Sequence, residues 1–133
     1  RIKQKRISLM KRFFLSLAAV AISCLAFAAD LIPQENINGK FGYSNPQGFM
    51  IIRAKFDTAR PFREKRAAVE IDGKWGFINE QGRFVGKCEY QDVRDFVGGY
   101  ALVKKNNLWG VMDMNGKLVK PCEAENEVDL LKD

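Results

Sequence analysis

The strongest constraint on this chain is a repeat with a period of 34 residues that runs without a gap. Phe41-Gly42, Trp75-Gly76 and Trp109-Gly110 stand one period apart, as do Gly48, Gly82 and Gly116. Ile51, Val85 and Val119 share a register, and so do Ala54, Cys88 and Cys122. Phe62, Phe96 and Leu130 form a further set, and Ala67-Ala68-Val69 matches Ala101-Leu102-Val103. Self-similarity of this kind marks a tandem array whose units cannot bury their apolar faces alone and do so against their neighbours.

Each unit reads as three short antiparallel strands. In the second, "RAAVEI" leads through Asp72-Gly73 to "KWGFIN", then through Glu80-Gln81-Gly82 to "RFVGKCEY". In the third, "YALVKK", Asn106-Asn107, "LWGVMD", Asn115-Gly116 and "KLVKPC" play the same parts. Asp-Gly and Asn-Gly pairs tolerate the positive φ that tight hairpin turns demand. Glycines too closely spaced for helices separate this array from helical repeats of similar period. The first unit takes "LIPQENI" as its opening strand, with Asn38-Gly39 as the turn and Pro33 confined to an edge. The segments between units, "FDTARPFREKR" and "YQDVRDFVGG", are expected to be crossovers, irregular or with one turn of helix. The expected fold is therefore all-β: three meander units over residues 31–65, 66–99 and 100–133, within a domain of residues 30–133. Whether the units stack as a solenoid or splay like propeller blades is left open.

The glycine after each aromatic is unusual, because a strand-interior glycine packs nothing. Its recurrence at one register makes Gly42, Gly76 and Gly110 requirements of the unit. The expected use is room for a bulge or for a closely passing crossover.

Residues 1–29 read as a signal peptide with an upstream n-region. Lys11 and Arg12 precede an apolar core from Phe13, and Ala26-Phe27-Ala28 is a cleavage site, so the mature chain has no membrane span. Lipid attachment at Cys24 is disfavoured, because Ala21 stands where an aliphatic residue is usual. The expected location is periplasmic or extracellular. Of the 22 basic residues, six lie in this leader, which leaves 16 against 16 acidic ones. A neutral mature domain removes the electrostatic case for nucleic-acid binding.

The residues "GKWGFINEQGRFV", followed by an aromatic-acid step and the "F-x-G-G-Y-A-L-V" block, resemble the WG (KWG) repeat family over roughly residues 38–130. Phe41 replaces tryptophan in the first unit, Arg63-Glu64-Lys65-Arg66 replaces Val97-Gly98-Gly99-Tyr100, and Ala124 stands where Phe56 and Tyr90 sit. The resemblance implies a β-repeat scaffold, commonly exported or attached to other modules. It supplies no catalytic residues.

Several features compete for function. Trp75 and Trp109 read as core, with an exposed aromatic platform as the alternative. Arg60, Arg63, Lys65 and Arg66 form a basic run, a solvated loop or an anion site. Cys88 and Cys122, at equivalent positions, are either bridged or two free thiols. With no histidine in the chain, Ser–His and Cys–His nucleophiles are excluded, as is a zinc site of usual composition. No cofactor, metal or catalytic residue is expected. The leading reading is a non-catalytic exported module that binds or scaffolds a protein or envelope polymer. The alternatives are a small carboxylate-based hydrolase and a structural spacer of a longer WG-repeat protein.

Overall fold

The computed structural model of the chain describes residues 30–131, and the signal-peptide reading falls outside them. Eleven strands follow in order: β1 (Ile32–Glu35), β2 (Phe41–Ser44), β3 (Met50–Phe56), β4 (Thr58–Ala59), β5 (Ala67–Ile71), β6 (Lys74–Ile78), β7 (Phe84–Tyr90), β8 (Asp92–Val93), β9 (Tyr100–Lys105), β10 (Leu108–Asp113) and β11 (Leu118–Ala124). They form three antiparallel sheets, β1-β2-β3, β4-β5-β6-β7 and β8-β9-β10-β11. A short 3₁₀ helix, Glu127–Leu130, follows, with the Asn126 side chain accepting from the Asp129 N–H.

The turns follow the local chemistry. Asp72-Gly73 and Asn106-Asn107 hold φ of 51° and 80°, and of 56° and 67°, as two-residue hairpin turns require. The first hairpin is built differently. There the Asn36 carboxamide oxygen accepts from the N–H groups of Asn38 and Lys40, and the loop spans five residues between β1 and β2. The same device closes the second turn of every unit. Asn45, Asn79 and Asp113 each accept two N–H groups onto a side-chain oxygen, and the backbone carbonyl of each accepts from Gly48, Gly82 or Gly116.

The glycine after the aromatic has a steric explanation. Opposite Gly76 the register of β6 against β7 jumps, from Trp75 facing Tyr90 to Phe77 facing Val85, so β7 bulges across the glycine. A Cβ on Gly76 would lie 2.8 Å from the Cys88 Cα. One on Gly42 would lie 2.3 Å from the Ile52 carbonyl oxygen, and one on Gly110 2.7 Å from the Lys120 oxygen. The neighbouring edge strand of the same sheet, β3, β7 or β11, takes the space, and no crossover passes there.

The crossovers hold no helix; each opens as a two-residue strand and continues through three residues without regular structure into a tight turn. β3 runs through Asp57 directly into β4, leaving one sheet and entering the next. Thr58 and Ala59 pair with Glu70 and Val69, and the Asp57 N–H donates to the Glu70 carbonyl at 2.8 Å. β7 passes into β8 in the same way. One extended segment thus passes from each sheet into the next, and the second and third sheets have four strands where a three-strand unit was expected. The pairing partner, rather than the segment's own periodicity, makes β4 and β8 extended.

The sheets stack. Leu31, Tyr43, Ile52 and Phe56 pack with Ala67, Val69 and Ile78 on one side of the second sheet. Ala68 and Phe77 face the other way and join Val93, Phe96, Ala101, Val103 and Met112. The run Ala67-Ala68-Val69 is apolar without alternation because both faces of its sheet are covered. Tyr43 meets Phe62 edge-on at 4.8 Å, and Phe77 meets Phe96 one period later at 4.7 Å. Each such pair adds about 0.5–1.5 kcal/mol beyond the area it buries.

Candidate functional site

The four residues of the basic run diverge. The Arg60 guanidinium carbon sits over the Trp75 ring, 4.4 Å from its centroid, and the guanidinium donates to the Val93 carbonyl at 2.9 Å. Asp92 and Asp95 stand 3.8 and 3.6 Å from the same guanidinium. One period later Arg94 covers Trp109 at 4.8 Å and donates twice to the Glu127 carboxylate, at 3.0 and 2.7 Å. The second donation helps hold the Arg94 pKa above its ordinary value, with the Glu127 hydrogen bond as the largest cause. Arg66 donates through Nε and one Nη to the Met114 carbonyl, at 3.1 and 2.8 Å. Arg60 and Arg66 therefore tie the second sheet to the third, and only Arg63 and Lys65 stay on an exposed turn. Trp109 is buried, and Trp75 is half-buried under its arginine.

The turn Glu64-Lys65 has the same backbone as Gly98-Gly99. Its φ values are 53° and 65°, against 61° and 86° for the glycines, and both turns are closed by a bridge between their flanking residues. Side chains in this left-handed region cost about 1 kcal/mol each. The Glu64 carboxylate is spent on the neighbouring turn, accepting the Gly98 N–H at 2.7 Å and the Gly99 N–H at 2.8 Å. Sequence reasoning missed this contact. The signal that reaches it is the register, which sets Glu64 and Gly98 one period apart.

Cys88 and Cys122 are free, which corrects the bridged alternative. Each sits behind the glycine of its own sheet and faces a carbonyl of that sheet, Cys88 that of Lys74 and Cys122 that of Val103. Stacked sheets lie about 10 Å apart, beyond the ~7 Å that a bridge allows between Cα atoms. Burial pushes both thiols up in pKa.

Among the described residues, no three Cys, Asp or Glu side chains converge to hold a metal ion, and no helix is long and apolar enough to cross a membrane. The outer face of the third sheet carries a cleft of about 630 Å³. Its walls include Tyr100, Leu102, Val111, Val119 and Leu130, and Asp95 is its one carboxylate. Sequence reasoning did not anticipate it. Val111 and Leu130 occupy the registers of Phe77 and Phe96, and smaller side chains on an uncovered sheet leave the space.

No curated protein and no solved structure matches the chain. The family described as WG containing repeat matches at residues 41–75 and again at 75–109. Those two matches meet at Trp75, one period apart, and together span more than half of the sequence. With the bulge-facing glycine present in all three sheets, the chain belongs to the WG-containing repeat family.

Proposed function

We propose that the chain is a non-catalytic, exported β-repeat module that binds or scaffolds another component of the cell envelope. The observation that carries this reading is a row of exposed apolar side chains at one register, Met50, Phe84 and Leu118. They lie on β3, β7 and β11, the strands at one edge of each sheet. Contacts repeated at unit spacing along stacked sheets suit an extended partner, a peptide segment or a polymer. The cleft supports the same reading, since its lining is mostly apolar, with Arg94, Lys120 and a single carboxylate, Asp95, and paired-carboxylate hydrolysis needs two. The neutral composition beyond residue 29 gives no footprint for nucleic acid.

The test is capture from an envelope extract, with the chain itself, Met50→Glu/Leu118→Glu and Arg63→Ala/Lys65→Ala compared side by side. The apolar-row variant should lose the captured component and the basic-turn variant should keep it. The opposite pattern would move the contact to the turn at Arg63 and Lys65, and equal capture by all three would sink the binding surface proposed. Export is tested by fractionation, which should recover a chain beginning near Asp30 outside the cytoplasm.

A further inference from the structure

The interface between successive units is built twice from the same positions. At the first, the turn of the second unit lands on β3, where a Cβ on Gly82 would sit 3.1 Å from the Ile52 side chain. At the second, the turn of the third unit lands on β7, and a Cβ on Gly116 would come within 2.5 Å of the Gly86 backbone nitrogen. Gly82 and Gly116 are one period apart, and so are Ile52 and Gly86. Beside this contact Met114 packs against the cluster that holds Ala68, Phe77 and Phe96, and its carbonyl takes the Arg66 guanidinium.

Each half of this interface is left over once. Among the described residues the first unit's turn, Asn45–Gly48, lands on nothing: a Cβ on Gly48 would meet no atom within 4 Å, and Pro46, at the register of Met114, is exposed. Phe49 beside it is 69% exposed. At the other end, the cleft on the third sheet is the landing place without a turn. Its walls Leu102, Val111 and Leu130 stand at the registers of Ala68, Phe77 and Phe96, the surface that Met114 covers one unit earlier. Tyr100, 53% exposed, stands where Arg66 receives the turn, and Leu131 at the rim is 71% exposed.

We propose that a second copy of this chain fills the cleft, head to tail. The Asn45–Gly48 turn of one copy seats on β11 of the next, with Pro46 in the position Met114 holds within the chain. The operation that relates one unit to the next inside the molecule then continues between molecules. The contact is heterologous, so it propagates into a chain of copies instead of closing as a two-fold dimer. This inference goes beyond the scaffold role proposed above and does not depend on it, since it uses the end faces of the stack and needs no envelope partner.

Sedimentation velocity over a concentration series tests it. The mass of the full chain should climb with concentration past that of a dimer. Gly48→Asn tests the turn: the added Cβ meets no atom within 4 Å in the free chain, but Cβ atoms at the matching Gly82 and Gly116 would strike the receiving strand at 3.1 and 2.5 Å. Asparagine tolerates the positive φ of 91° at this position. Val119→Glu places a charge in the cleft, with Leu131→Glu as its substitute if the strand variant fails to fold. Each variant alone should stay monomeric. Mixed, the Gly48→Asn chain offers an intact cleft and the Val119→Glu chain an intact turn, so the mixture should form a one-to-one heterodimer and stop there. A chain that stays monomeric throughout the series overturns the proposal. So does association that ends at a dimer, that survives Gly48→Asn, or that fails to reappear in the mixture.

Discussion

The second and third sheets are made from the same unit, yet one is a core and the other a surface. In the second, Ala67, Ala68, Val69, Phe77 and Ile78 are all buried, because a sheet covers each face. In the third, Ala101, Val103 and Met112 are buried on the inner side, while Tyr100, Val119 and the cleft face outward. Position in the stack, more than the residues of a unit, decides what that unit contributes to stability. Substitutions at matched registers should expose that difference.

The largest effect is expected where the two sheets agree. Gly76→Val and Gly110→Val each drive a side chain into the backbone of the bulged edge strand, β7 or β11, at 2.8 and 2.7 Å from the nearest atom for a Cβ alone. Both should destabilise by about 3 kcal/mol or more in chemical denaturation, the upper end for overpacking. A stable Gly76→Val would remove the steric account of the glycine. The sheets should part company at the next register. Phe77→Ala empties a site closed on all sides and should cost about 3–5 kcal/mol. Val111→Ala, one period later, borders a cleft already open and should cost nearer to 1 kcal/mol. Equal losses would mean that the third sheet is packed as the second is.

Alkaline pH gives a smaller effect of defined sign. Burial, then Glu89 and Cys122, push the Tyr90 hydroxyl up to about 12, and burial with Asp95 raises that of Tyr43, whose hydroxyl donates to the Arg60 carbonyl at 2.7 Å. A phenol whose folded pKa lies above its unfolded value binds its proton more tightly in the folded state. Its contribution is full below the ordinary value near 10 and is lost as pH rises through the folded value. Unfolding free energy should therefore begin to decline above about pH 9, where the raised Cys88 and Cys122 thiols start to count, and more steeply above about pH 10. It should then fall by about 2–3 kcal/mol toward pH 12 from Tyr90 alone. Tyr90→Phe should flatten that part of the fall.

The smallest effect concerns the turns that differ most in sequence. Lys65→Gly removes a side chain held at φ 65° and should stabilise by about 0.5–1 kcal/mol. Glu64→Gly relieves similar strain but gives up two hydrogen bonds to the Gly98-Gly99 turn, so it should not stabilise. Thermal unfolding of the two variants separates backbone strain from the turn-to-turn contact.

What was legible in the sequence follows the same division. The period, the hairpins and the glycine register could be read because each unit repeats its own local chemistry. The passage of β3 into β4 could not, since two residues have no periodicity of their own and Asp57 to Ala59 are extended only because β5 pairs with them. "REKR" reads as a solvated charged loop, for glutamate and lysine disfavour positive φ; the turn at Gly98-Gly99 reveals its shape, and stacking reveals what Glu64 holds. The tryptophans were legible as packing residues, but the arginine lid on each needed the crossover path. The cleft depends on Val111 and Leu130 being smaller than Phe77 and Phe96 on a face that nothing covers, which is a property of the assembled stack.

Amide hydrogen exchange, compared strand by strand, tests the central claim most directly, because β5 and β9 are both inner strands with matched registers. Stacking on both faces predicts that Ala67–Ile71 exchange last, only through global unfolding, while Tyr100–Lys105 exchange sooner through opening of the third sheet. Protection in β9 equal to or greater than that in β5 would contradict it.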